Sequence, residues 1–227
     1  STFLQRAYDQ IINDLCINNS NALILVYRAS IYGNKDMTHL GFNDITMLGN
    51  MPNLMYLAPT TVEELESSIR YGLEHHNHPI AIRIPVGSPI YETSQSNTTG
   101  CPVTSYDITQ SGSTIAIIGV GNFYHKAVEL SHAIHDAMHI SPTLVKPLCI
   151  SSLDTDTLNK LRKNHNIVIT LEDGELEGGY GQKIASYYGK TSMNVLNYGI
   201  SKQFYDRYKP EDVLQQNHFD FKHILDD

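Results

Sequence analysis

PNLMYLAPTTVEELESSIRYGLEHHNHPIAIRIP, residues 52–85, reads as strand, helix, strand. Residues 52–59 form a short apolar run bracketed by prolines, and IAIRIP at 80–85 forms another. Between them Thr60 and Thr61, with Glu63 and Glu64 three residues on, make overlapping capping boxes. Each hydroxyl and carboxylate satisfies a backbone N–H that a helix start leaves orphaned. Val62, Leu65, Ile69 and Leu73 then recur at helical spacing. A strand, a helix and a strand with short joints form a βαβ unit, so the sheet is parallel.

Working outward, Leu4, Ala7, Ile11 and Leu15 give one buried stripe on a helix running to about Ile17, with Thr2 and Gln5 as its capping box. NALILVY, with Ala22 to Val26 at its centre, is a buried parallel strand. Downstream, Ser88 to Ser113 has the Ser, Thr, Asn, Gly and Pro content of a linker, with Val103 and Ile108 among its few apolar residues. TIAIIG at 114–119, TLVKPL at 143–148, IVITLED at 167–173 and MNVLNYGI at 193–200 are strands. Helices lie between them: one marked by Phe123, Ala127, Leu130 and Ile134, one capped by Asp154, and one over Gln182 to Tyr188. The expectation is α/β, two domains each built on a mainly parallel sheet flanked by helices: residues 1–90, a linker at 91–105, and residues 106–227.

The chain has 227 residues, of which 41% are hydrophobic and 18% charged, enough for a sizeable core. Its net charge of −8 repels a phosphate polyanion, so nucleic acid is not an expected partner and an anionic ligand needs a local basic pocket. Three cysteines without close spacing suit neither a disulfide framework nor a zinc site and fit a reducing cytoplasm. No apolar run reaches the roughly 20 residues that span a bilayer, so no membrane partner is expected. The first residue is Ser and helix-forming text follows at once, which reads as a piece of a longer chain.

Chemistry is expected in YRASIYGNKDMTHLGFND, Tyr27 to Asp44, which gathers Arg28, Lys35, Asp36, His39 and Asp44 on a loop leaving a parallel strand. A purely structural use of the same residues, with Arg28 paired to Asp44 and His39 capping a helix, stays open at this point. Elsewhere the bland readings win. GVGNFY at 119–124 lacks the third glycine of a dinucleotide fingerprint and reads as a tight turn. His75, His76 and His78 have no further ligand beside them and read as a solvated helix end. EDGELEGGYG at 172–181 lacks the spacing of a calcium loop and reads as a strand end turning into a helix.

The residues also carry a resemblance. STFLQRAYDQ at 1–10, RA at 28–29, THLGFND at 38–44, NLMYLAPTTVEEL at 53–65 and AIRIP at 81–85 resemble the pyrimidine-binding domain of the 1-deoxy-D-xylulose-5-phosphate synthase family of transketolase-like thiamine diphosphate enzymes. TIAIIGVGNFYHKAVEL, LVKPL and VITLEDGELEGGYG resemble that family's carboxyl-terminal domain. The resemblance implies a transferase that condenses pyruvate with glyceraldehyde 3-phosphate and releases CO2, an entry to isoprenoid and thiamine biosynthesis. Thiamine diphosphate with Mg2+ would be the cofactor, and the enzyme would be a homodimer.

By motif, Phe3 would stack on the aminopyrimidine with Arg6 beside it, Arg28, Lys35 and Arg83 would lie at the phosphorylated acceptor, and His39 would exchange protons at the reacting oxygens. No residue of this chain is assigned to a metal. The family's GDG motif and its activating Glu have no counterpart here, so the chain alone is expected to be inactive and to bind no cofactor. It would need a diphosphate-binding domain in cis or in trans. GNKDMTHLG, YRAS and RIPVG depart from the family's usual GADGxTHQG, DRAG and RYPRG, and Lys35 in place of an Asp inverts a charge beside the acceptor. The alternatives are a separately encoded subunit, such as a transketolase carboxyl-terminal section or the β-type subunit of a 2-oxo acid dehydrogenase, and a non-catalytic assembly module.

Overall fold

The computed structural model of the chain describes residues 1–33, 36–74, 77–85 and 103–227. Lys35, His75, His76, Cys101 and residues 91–102 of the expected linker lie outside the described residues.

Helical turns run from the start of the chain as a 3-10 segment, Thr2–Ala7, three α-helical residues, Tyr8–Gln10 (α1), and a wider π-type segment, Ile11–Cys16. The stripe expected from Leu4, Ala7, Ile11 and Leu15 does face the core. The expected Thr2 cap does not form, because the Thr2 hydroxyl donates instead to the Leu40 carbonyl at 2.6 Å and ties the chain start to the candidate loop.

Strands β1 (Leu23–Ala29), β2 (Met55–Leu57) and β3 (Ile80–Pro85) form a sheet in the order β1-β3-β2, parallel throughout. β1 runs on to Ala29, past the expected boundary at Tyr27. Its register slips between Tyr27 and Ala29, and Arg28 between them takes a φ of 58°. A short helix α2 (Asp44–Leu48) closes the candidate loop, and α3 (Val62–Glu74) links β2 to β3. The capping box of α3 is built by Thr61 and Glu64: the Glu64 N–H donates to Thr61 Oγ1 at 3.2 Å, while Glu64 Oε2 accepts from the N–H groups of Thr60 and Thr61.

The second sheet has β4 (Asp107–Gln110), β5 (Thr114–Gly119), β6 (Thr143–Lys146), β7 (His165–Glu175) and β8 (Asn194–Ile200) in the order β4-β6-β5-β7-β8. Helices α4 (Tyr124–Met138), α5 (Thr155–Leu161) and α6 (Tyr180–Tyr188) connect its parallel strands, with the Asp154 side chain capping α5 as expected. Helices α7 (Pro210–Gln216) and α8 (Phe221–Asp226) finish the chain. β4 runs antiparallel to β6 inside a stretch whose composition reads as linker. An edge strand needs one neighbour's hydrogen bonds and little burial, and Ile108 at its centre is exposed.

One hydrophobic cluster runs through both sheets, joining Val26, Ile45, Tyr56 and Ala81 to Ile118, Val145, Ile150 and Tyr180. The backbone is stitched across the same seam. The Ala58 N–H donates to the Leu148 carbonyl and the Ile150 N–H to the Tyr56 carbonyl, both at 2.8 Å, so residues 148–150 cover the outer edge of β2. Among the described residues no helix is long and apolar enough to cross a membrane.

Candidate active site

The loop after β1 is closed on itself by two backbone hydrogen bonds and one from a tyrosine side chain. The Ser30 N–H donates to the Gly41 carbonyl at 2.8 Å, the His39 N–H to the Asp36 carbonyl at 2.8 Å, and Tyr32 Oη to the His39 carbonyl at 2.8 Å. Gly41 is needed there, since a β-carbon would lie about 2.5 Å from both the Arg28 carbonyl oxygen and the Tyr32 ring. The second domain clamps the outside of the loop. A β-carbon on Gly33 would strike Pro210, and Arg207 Nε donates to Asp36 Oδ1 at 3.3 Å.

This closure brings His39 to the amino-terminal helical turn. The rings of His39 and Phe3 meet edge to face at 5.2 Å, and Thr38 Oγ1 lies 2.9 Å from His39 Nδ1. Phe3 and Arg6 share a pocket of about 440 Å3 with Thr2, Gln5, Thr38 and Asn43. Phe3 and Arg6 at the chain start and the distant His39 are therefore brought to one place. Arg28 is exposed close to the chain start, where Ser1 Oγ donates to its carbonyl at 3.4 Å.

Arg83 is placed differently. Expected beside Arg28 and Lys35 at the phosphorylated acceptor, it is only 1% exposed. Its Nε donates to Asp44 Oδ2 at 2.7 Å and its Nη1 to Asp173 Oδ1 at 2.6 Å. The Tyr56 hydroxyl also donates to Asp44 Oδ2. Burial opposes the guanidinium charge, but Asp173 and Asp44 outweigh it and hold the Arg83 pKa above its ordinary value. The same carboxylate joins burial in raising the Tyr56 phenol. An Arg at the centre of a buried strand, IAIRIP, was the sequence signal for an internal ion pair; its partner on β7, Asp173, had none.

Two further buried groups were not anticipated. Lys146 forms an ion pair with Glu64 across the seam, both less than 5% exposed, and its ammonium lies 5.5 Å from the centre of the Tyr124 ring. Glu172 is fully buried and accepts from the N–H groups of Tyr180 and Gly181 at 2.9 and 2.8 Å, so EDGELEGGYG does turn from a strand into a helix, with a carboxylate as the cap. Burial pushes the Glu172 pKa up to about 7 despite those donors. GVGNFY is likewise a tight turn, since a β-carbon on Gly119 would lie 2.6 Å from Tyr124 Cα. Among the described residues no three His, Cys, Asp or Glu side chains are grouped to hold a cation.

Comparison with known proteins gives this geometry a setting. Residues 1–88 match the family description "Transketolase, pyrimidine binding domain", and residues 105–224 match "Transketolase, C-terminal domain". The chain is 32% identical over 232 residues to 1-deoxy-D-xylulose-5-phosphate synthase from Clostridium tetani, covering 99% of this chain and 36% of that protein. It is 34% identical over 220 residues to the synthase of the same name from Gloeothece citriformis, covering 93% and 34%. It thus spans about a third of the length of these relatives. Among solved structures, a chain described as "Split gene transketolase, inactive beta4 tetramer" superposes with a TM-score of 0.85 at 18% identity, covering 99% of this chain and 72% of that one. In sequence and in the order of its two sheets, the chain belongs to the transketolase family, as a pyrimidine binding domain followed by a transketolase C-terminal domain.

Proposed function

We propose that this chain is the carboxyl-terminal section of a thiamine diphosphate-dependent transferase that condenses pyruvate with glyceraldehyde 3-phosphate to give 1-deoxy-D-xylulose 5-phosphate and CO2. The reading places the enzyme in the cytoplasm as a homodimer. The observation that carries it is the meeting of Phe3, Arg6 and Thr38 around one pocket, with the His39 ring edge to face on Phe3, which is how the pyrimidine half of such a cofactor would be received. An exposed aromatic face beside a guanidinium suits a flat, polar heterocycle. The proposal assigns the diphosphate and Mg2+ to a diphosphate-binding domain in cis or in trans, consistent with the absence of a cluster of three His, Cys, Asp or Glu side chains among the described residues.

When bound, the cofactor supplies the electron sink for the two-carbon unit taken from pyruvate. His39, with its Nδ1 beside Thr38 Oγ1, leaves Nε2 for a proton at the aldehyde oxygen. Arg28 and Lys35 give positive charge for the acceptor phosphate. Arg83, assigned to the same phosphate by the family resemblance, in this geometry anchors Asp44 at the end of the loop, and its substitution separates the two roles below.

A second reading, in which the chain is a separately encoded subunit, takes its motive from the split gene transketolase among the proteins of like fold. Both readings share one test. The chain is joined, in cis or in trans, to the diphosphate-binding domain of its own parent enzyme, and CO2 release from pyruvate is followed with and without glyceraldehyde 3-phosphate. Product formation that requires both substrates supports the proposal. Turnover of pyruvate with a different acceptor only would move the acceptor assignment, and inactivity of the complete assembly would end the proposal.

A further inference from the structure

The pocket that holds Phe3 and Arg6 is also lined by Phe204, from the segment after β8 of the second domain. Phe204 is 80% exposed, although residues that follow it are fixed. Tyr205 is buried, packs edge to face on Phe42 at 5.6 Å, and has its hydroxyl between Ser201 Oγ at 2.7 Å and Asn217 Nδ2 at 3.0 Å. Tyr208 is buried behind it, and Arg207 reaches Asp36 on the candidate loop. The segment is therefore pinned while one large aromatic side chain is held out at the pocket.

Phe3, at 64%, and Met37, at 48%, are exposed in the same pocket. Single exposed apolar side chains are ordinary, but several gathered at one concavity mark a recognition site. Asn43 lines that pocket too, and its Oδ1 is buried with no hydrogen-bond partner among the described residues. A buried acceptor without a donor is destabilising, and a ligand N–H can recover that loss.

We propose that Phe204 is a cofactor-positioning residue, a second aromatic wall through which the second domain helps to hold the aminopyrimidine, with Asn43 accepting from that ring's exocyclic amine. The inference rests on the pyrimidine-site reading above. A flat aromatic ring with an amine on its edge needs apolar faces and an acceptor in the plane, and Phe3, Met37, Phe204 and Asn43 offer that set. Of the remaining lining groups Leu40 is apolar, while Thr2, Gln5, Arg6 and Thr38 supply hydrogen-bonding groups, a mixture that suits a small polar heterocycle better than the apolar side chains of a protein partner.

The test measures thiamine diphosphate affinity of the assembled enzyme by calorimetry and by quenching of intrinsic fluorescence, for Phe204→Ala, Phe204→Tyr and Phe3→Ala. Loss of one stacked ring is worth about 3- to 10-fold in affinity. Phe204→Ala is expected to weaken binding by that factor at unchanged melting temperature, and Phe204→Tyr to restore it. If Phe3→Ala weakens binding and Phe204→Ala does not, the second wall is overturned while the pyrimidine site stands. If neither substitution changes affinity, the pyrimidine reading itself fails. If Phe204→Ala changes only the sedimentation of the assembly, the ring docks protein and the proposal is wrong.

Discussion

Arg83 shows how one side chain can be read correctly in type and wrongly in setting. A guanidinium fork suits phosphate, but it suits two carboxylates as well, and on a strand flanked by β1 and β2 it has no route to water. Asp44 receives Arg83 and Tyr56, whereas Asp173 receives Arg83 through one oxygen and its Oδ2 has no partner among the described residues. Arg83→Met, which keeps the volume and removes the charge, strands both carboxylates. It is expected to lower unfolding free energy by about 3–5 kcal/mol, measured in urea. A substrate role makes the opposite pattern: stability within about 0.5 kcal/mol of the parent and a raised KM for the aldehyde phosphate in the assembled enzyme. His39→Ala leaves a half-buried ring position and is expected to spare stability but lower kcat about 100-fold to 10,000-fold.

At the scale of elements, β7 and α6 are joined by a carboxylate whose protonation is coupled to folding. Glu172 has its folded pKa raised, by burial first, to about 7 from an ordinary value of 4.5. The folded state therefore binds the proton more tightly than the unfolded one. The associated stability is fully present below about pH 4.5 and is lost as pH rises through about 7, on the order of 3 kcal/mol in all. The stability difference between the parent and Glu172→Gln is expected to change by that amount across this window, followed by urea unfolding at a series of pH values. A difference independent of pH would show that the carboxylate is ionised throughout. Glu172 belongs to a stretch that the sequence alone marked only as a strand running into a helix. The alternation of apolar strands with capped helices was legible because each element carries its own signal: Thr61 with Glu64, Asp154, and the run IVITLED. β4 and the helices α7 and α8 were not, since an edge strand and short closing helices draw their stability from neighbours rather than from periodicity. Phe3, Arg6 and His39 were legible as types, while Phe204 was not, because its place at the pocket depends on how the second domain is docked.

Docking itself is a property of the whole molecule. Two sheets in sequence order invite a description as two independent folding units, yet the seam between them holds a continuous apolar cluster, the Arg83–Asp173 and Lys146–Glu64 ion pairs, and the backbone bonds between Tyr56–Ala58 and Leu148–Ile150. A three-stranded sheet is small, and Val26, Ile45 and Tyr56 share one buried cluster with Ile118, Val145 and Tyr180 of the second domain. Unfolding one unit would expose the other's half of the cluster and strand its buried charges. The chain is therefore expected to melt in one cooperative transition, with calorimetric and van't Hoff enthalpies equal. Lys146→Met tests the coupling, because it leaves Glu64 buried on its cap without a counter-charge while adding no bulk. It is expected to lower unfolding free energy by about 3–5 kcal/mol. The loss should move the single transition as a whole, since Lys146 lies on β6 and Glu64 on α3. Two separated transitions in the parent, or a shift confined to one of two steps in the variant, would mean that the sheets fold independently and that the seam is a contact surface between finished domains.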